Sequence, residues 1–318
     1  NQLINESMTS LDQNMINGQP GPPSDYAKGR GSPFSWGVVG AKTEETSDYQ
    51  TALWAAQQLQ AEHEKPFFLA VGLAKPHLPF YSPQEFWDLY PEGGDYAPEI
   101  REDDLDDILN AGGRPSAKPT SDYLWLEENE LINECARAYL ACVSYADHCL
   151  GVLFDGLRKS PHADNTIVVF WGDHGWHLGE KMRYRKGYLW SESTRAPMMV
   201  RTPGMTKRQD CERAVNLIDF YPTLIELTGL PEKPELDGRS FSALLKDPTQ
   251  KWDPTVTVGG RGNASIHDEG WNYIRKADGA EELYDLEADP MEWTNLASNP
   301  EYAEEKERLL AYYPSSFA

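Results

Sequence analysis

Two short apolar runs constrain this chain most: residues 66–72, Pro-Phe-Phe-Leu-Ala-Val-Gly, and residues 166–171, Thr-Ile-Val-Val-Phe-Trp. Each is continuous rather than alternating, which is the pattern of a strand buried on both faces and therefore of a sheet covered by helices. Each also runs straight into polar sequence. The first leads to Lys75-Pro76-His77. The second leads to Gly172-Asp173-His174-Gly175, then His177 and a basic stretch holding Lys181, Arg183, Arg185 and Lys186. Ligands of open α/β sheets bind beyond the carboxyl ends of the strands, so parallel neighbours would bring both segments to one rim.

The rest of the pattern agrees with an α/β body. Helical spacing marks residues 48–64 and 128–159, the second helix stopped by Ser160-Pro161. Residues 197–201 read as a third strand, and 216–228 as a helix closed by Gly229. Residues 1–45, rich in Gly, Pro, Asn and Ser, read as irregular chain. Residues 79–127 are expected to be surface loops with short helices, and the acidic cluster at 102–107 a solvated face. Beyond about 250, strands are predicted at 255–259, 271–275 and 282–285, with a turn at 277–279 and a helix at 301–312. The predicted architecture is a mostly parallel sheet flanked by helices over 1–250, plus a small antiparallel sheet with a helix over 251–318. Cys135, Cys142 and Cys149 fall seven apart on one helix face. Their ~10 Å separation exceeds the ~7 Å reach of a disulfide, so they are predicted to be small buried hydrophobes. Cys211 has no partner evident in sequence.

Charge excludes some partners. The formal net charge is −22, which argues against nucleic acid, because backbone binding needs a basic surface, and against an anionic membrane face. The longest nearly apolar run, 67–74, is too short to span a bilayer. Against this acidic background the strand-end residues stand out. Asp173 and His174 can both turn toward a cation, although two ligands do not complete a metal site; a capping Asp and a locally bonded His are the plain alternative. His177 is either a third ligand or an ordinary pocket residue. Lys75 can offer a point charge to an anion, and His77 can move a proton near neutral pH. A cation with local Lys and Arg is what a tetrahedral oxyanion ester requires, since charge must be stabilised as it develops.

In collinear order, residues 66–80, 144–147, 172–180 with Lys186, 219–224 and 282–296 resemble the sulfatase family of the alkaline-phosphatase-like superfamily, nearest its iduronate-2-sulfatase branch and bacterial relatives. The resemblance implies an alkaline-phosphatase-like fold and hydrolysis of a sulfate ester on a sulfated carbohydrate, using Ca²⁺ and a formylglycine made from Cys. It implies that Asp173 and His174 are calcium ligands, that His77 is the active-site His, and that Lys186 holds the sulfate and assists the leaving group. Lys75, His177 and Arg183 make up the expected substrate contacts. The family's Cys-x-(Pro/Ala)-x-Arg motif fits none of the four cysteines. Its serine version fails at Ser191, where Ser193 stands in place of Pro or Ala. The chain is therefore expected to be a C-terminal portion, inactive alone, with the formylglycine upstream and an unpaired apolar slot in its sheet. A periplasmic, secreted or lysosomal location is further implied, and oligomeric state is left open. Two other readings keep the residues: a phosphatase or phosphonate monoester hydrolase of the same superfamily, or a non-catalytic protein that binds sulfated glycans.

Overall fold

The computed structural model describes residues 35–317. Its helices are α1 (Ser47–Gln60), α2 (Gln84–Trp87), α3 (Ser121–Glu128), α4 (Ile132–Arg158), α5 (Ser191–Thr194), α6 (Phe220–Thr228) and α7 (Ala303–Leu310). Its strands are β1 (Trp36–Val39), β2 (Phe80–Pro83), β3 (Val168–Trp171), β4 (His177–Leu178), β5 (Tyr184–Arg185), β6 (Met198–Arg201), β7 (Thr255–Val258), β8 (Ala264–His267), β9 (Trp271–Arg275) and β10 (Glu281–Asp285). They divide into two compact units. One holds the described residues up to Ala97 together with Asn129–Thr166; the other holds Pro98–Glu128 and everything from Ile167 onward. The units thus divide elsewhere than at residue 250, and the C-terminal sheet belongs with β3 and β6.

In the first unit, α1 packs along α4 through small residues. Ala52, Ala55 and Ala56 of α1 are buried, as are Cys135, Ala138, Cys142 and Cys149 of α4. The seven-residue cysteine spacing therefore marks the buried face, and all four cysteines are free thiols. A methyl group at Gly156 would lie 2.3 Å from Ala56 Cβ and 2.6 Å from its Cα, so the helices approach where only glycine fits. At the start of α1 the Tyr145 hydroxyl donates to Thr46 Oγ1 at 2.5 Å and accepts from the Tyr49 amide at 3.3 Å. By length and composition α4 is apolar enough to cross a membrane, a property that a search for contiguous apolar runs overlooks because polar residues interrupt it.

The predicted strand at 66–72 does not form. Phe68 is 83 % exposed, and the segment carries no regular structure. A strand buried on both faces needs a ladder partner on each side. Among the described residues, β1 instead pairs in parallel with β2, Trp36 opposite Phe80, in a stretch expected to be loop. Phe67 packs on the rings of His63 and His162, 4.3 and 5.3 Å away.

In the second unit β3 and β6 pair antiparallel, Val169 opposite Val200. Their shared face packs on Phe220 of α6 and on Phe241 and Leu244. Gly229 ends α6 in the left-handed region at φ 66°, as its position after the last apolar residue predicts. Strands β7 to β10 form an antiparallel meander in sequence order, one more strand than expected, the addition being β8. Leu309 of α7 closes its core of Ile266, Tyr273 and Leu283. Among the described residues parallel pairing is confined to β1 and β2.

Gly156→Ala tests the helix contact. In an exposed helix this change is favourable by about 1 kcal/mol, whereas here the added methyl meets Ala56, and a loss of about 1–3 kcal/mol is expected from urea unfolding.

Candidate active site

The end of β3 is built by two glycines. The Gly172 amide donates to the Pro197 carbonyl at 2.9 Å, and the Gly175 amide to the Ser193 carbonyl at 2.9 Å. A Cβ on Gly175 would sit 2.0 Å from the Glu192 carbonyl oxygen, so no other residue allows this turn. The turn leaves the side chain of Asp173 84 % exposed and that of His174 31 % exposed. His174 Nδ1 lies 2.8 Å from the Gly175 carbonyl. A carbonyl only accepts, so Nδ1 carries a proton, and Nε2 faces Asp173 Oδ2 at 3.4 Å. Fixing one ring nitrogen on a carbonyl is how metal-binding histidines are oriented. The pair offers one oxygen and one nitrogen, whereas Ca²⁺ takes roughly six to eight oxygen ligands. Among the described residues no group of three or more His, Cys, Asp or Glu converges. Asp173 and His174 fit as part of a cation site and do not complete one.

The basic stretch differs from its expected form. Lys181 is 1 % exposed. Its Nζ donates to Asp104 Oδ1 at 2.7 Å and to the Glu292 carbonyl, while its amide reaches Asp104 Oδ2 at 3.2 Å. Asp104 comes from the acidic cluster, which is therefore not wholly a solvated face: Asp104, Leu105 and Ile108 are buried. Arg185 pairs with Asp122 at 2.6 Å. Arg183 is buried rather than offered to a substrate; it donates to the Lys118 carbonyl and lies over the rings of Tyr188 and Trp190. Lys186 stands over Trp176, with Nζ 5.2 Å from the ring centroid. The stretch is thus mainly internal bracing, with two of its cations spent on carboxylates.

His177 is also buried, which is at odds with direct substrate contact in this conformation. Its Nδ1 lies 3.2 Å from the Glu180 carbonyl, its ring packs edge-on against Tyr188, and Nε2 has no hydrogen-bond partner. Burial lowers its pKa to about 4, so it is neutral near pH 7.

Lys75 and His77 belong to the first unit. The buried carboxylate of Asp48 accepts from the amides of Ala74 and Lys75 at 3.0 and 2.9 Å, and the His77 amide donates to the Ala74 carbonyl at 2.9 Å. Lys75 Nζ turns back onto the Pro79 carbonyl at 2.7 Å, so its charge braces the turn. The His77 ring is exposed, with Nδ1 2.5 Å from the Leu78 carbonyl. Sequence reasoning passed over Asn272, weighed Ser191 only as a nucleophile, left Asp104 on the solvated face and gave Glu292 no role within 282–296. Leu105, apolar within the acidic run, is the one local signal that part of it is buried.

Lys181→Ala leaves the Asp104 carboxylate buried without its cation and should cost about 3–5 kcal/mol in urea unfolding; Lys186→Ala should stay within about 0.5 kcal/mol. For His177 the sign follows from its lowered pKa. Between pH 6.5 and about 4 the unfolded chain takes up a proton that the folded one refuses, so stability falls with pH in that window. His177→Gln should remove about 2 kcal/mol of that loss at pH 5 and change little of it at pH 7.

Comparison with known proteins places these residues in a family. The sulfatase family model matches residues 5–230. A sulfatase of Formosa agariphila is 35 % identical over 285 residues, covering 89 % of this chain and 56 % of its own length. A choline-sulfatase of Rhizobium meliloti is 31 % identical, covering 89 % and 57 %. The mouse iduronate 2-sulfatase is 31 % identical over 221 residues, covering 57 % and 39 %. The chain thus spans about half the length of the curated relatives it matches. Among solved structures, the phosphonate monoester hydrolase of Agrobacterium radiobacter superposes with a TM-score of 0.72 at 22 % identity, over 96 % of this chain and 68 % of that one, a likeness of fold alone. With the family model covering well over half of it, the chain belongs to the sulfatase family.

Proposed function

We propose that this chain supplies the sulfate-holding, cation-holding and proton-handling residues of a sulfuric ester hydrolase acting on a sulfated carbohydrate, on the pattern of the iduronate-2-sulfatase branch. The observation that carries this reading is the Asp173–His174 pair, a carboxylate and an imidazole 3.4 Å apart on a glycine turn at a strand end, followed in the same unit by Lys186. The 31 % identity over 221 residues with the mouse iduronate 2-sulfatase supports the iduronate-2-sulfatase-like assignment. Sulfatases generally use Ca²⁺ and a formylglycine; bound Ca²⁺ would neutralise the nucleophile and the sulfate oxygens, with Asp173 and His174 among its ligands. The formylglycine motif is not among these 318 residues, so the nucleophile is not assigned to any of them.

The chain's own residues carry three tasks. Lys186, on a loop braced by internal ion pairs, gives its ammonium to a sulfate oxygen and stabilises the charge that passes to the departing alkoxide. His77, its Nδ1 held by the Leu78 carbonyl, presents its other nitrogen to exchange a proton with the ester. Lys75, His177 and Arg183 act behind these groups by fixing the turn and loop, since their polar atoms are engaged with carbonyls or buried. A secreted, periplasmic or lysosomal setting goes with the same reading. Phosphonate monoester hydrolysis is the second reading, supported by the fold likeness; the relatives above 30 % identity are sulfatases, which favours the first.

Asp173→Ala and His174→Ala should each weaken Ca²⁺ binding at least tenfold in calorimetry; unchanged binding would remove both from the ligand set. Lys186→Ala should weaken binding of inorganic sulfate by a similar factor. The 318-residue chain given a chromogenic aryl sulfate should release no product, and turnover would show that a residue here serves as nucleophile.

A further inference from the structure

The loop that carries Lys186 is the most strained part of the described backbone. Among the described residues five non-glycine residues take positive φ. Four of them belong to one assembly: Lys181 at 54°, Met182 at 49°, Arg185 at 76° and Glu292 at 58°. Such conformations persist only where the surroundings over-determine them. Asp104 holds Lys181 from one side, and the other holds come from the C-terminal part of the chain, beyond the 5–230 match. The carboxylate of Glu292 is buried and accepts three hydrogen bonds: from the Ser191 amide at 2.8 Å, from Ser191 Oγ at 2.9 Å and from Asn272 Nδ2 at 2.6 Å. The carbonyl of Glu292 accepts from Lys181 Nζ. Asn272 Nδ2 also donates to the Leu189 carbonyl at 3.2 Å.

One residue therefore grips both ends of segment 181–191, and its neighbour on β9 grips position 189. Lys186 lies between the two holds. The sheet does not need Glu292 for its own core, which is Ile266, Tyr273 and Leu283 closed by Leu309. We propose that Glu292, assisted by Asn272, is a positioning residue for Lys186: the C-terminal sheet clamps the strained loop and so sets where its ammonium meets the substrate's sulfate. The clamp rests on the reading of Lys186 as the sulfate-holding residue.

Glu292→Gln preserves shape but leaves one acceptor oxygen where a carboxylate offers two, so at least one of the three donors must face an amide NH₂. In the 318-residue chain this substitution should raise hydrogen exchange of the amides in 182–190 at least tenfold, with β3 and α6 unchanged, and should weaken binding of inorganic sulfate about tenfold. Asn272→Ala should act in the same direction through the lost hold on Leu189, and it serves if Glu292→Gln does not fold. Ile266→Val, which thins the core of the same sheet, should lower the melting temperature while leaving both the loop exchange and the sulfate affinity in place. Unchanged exchange at 182–190 in Glu292→Gln, or an equal effect from Ile266→Val, overturns the clamp. Lys186→Ala separates the two ideas: if it leaves sulfate binding intact, the sulfate-holding reading fails, while loop exchange still decides whether Glu292 positions the loop.

Discussion

The buried ion pair between Lys181 and Asp104 is the interaction on which the second unit turns. Both groups lie almost wholly out of water, 2.7 Å apart. Desolvating two charges costs several kcal/mol each, and their attraction repays this only when further hydrogen bonds satisfy what remains. Those bonds are present. Asp104 also takes the Lys181 amide, and Lys181 also reaches the Glu292 carbonyl, with Tyr284 and Trp190 rings 5.0 and 6.0 Å from its ammonium. A pair of this kind is poor value as a source of stability but strong as a device for specificity, because only one arrangement of the loop satisfies both charges. The positive φ angles at 181, 182 and 185 are held by that requirement.

The electrostatics of the site follow from the same economy. A net charge of −22 with four cations in six residues suggests a local positive patch inside an acidic shell. Folding dismantles most of that patch. Lys181 and Arg185 meet carboxylates, and Arg183 goes to a carbonyl and two aromatic rings. Lys186, over the Trp176 ring, is exposed. If Lys186 holds the sulfate as proposed, the orientation of its loop matters more than the composition of the stretch.

Much of this was legible in the sequence where spacing has a direct geometric meaning. The seven-residue cysteine period marked the buried face of α4, Gly229 marked the end of α6, and the apolar run at 166–171 marked β3, although that strand is half-buried with Trp171 exposed rather than covered on both faces. Gly175 is required because the Glu192 carbonyl leaves no room for a side chain there, a close approach that the sequence does not show. The matching run at 66–72 looked equally strand-like yet is exposed, because apolarity states what a segment could bury and not whether a partner is there to bury it. β1, β2 and β8 escaped notice for the converse reason, being short strands defined by pairing rather than by pattern.

The sequence by itself determined the chemistry available: a carboxylate and an imidazole at a strand end, a lysine in the loop beyond, and a family resemblance through motifs in order. It determined these because residue type and short-range spacing are local properties. Only the tertiary structure decided which charges are buried as internal braces. Asp104 and Lys181 are 77 residues apart and Lys181 and Glu292 are 111 apart. No periodicity links positions at such distances, and the desolvation that turns a surface charge into an internal brace exists only once the chain has closed around it.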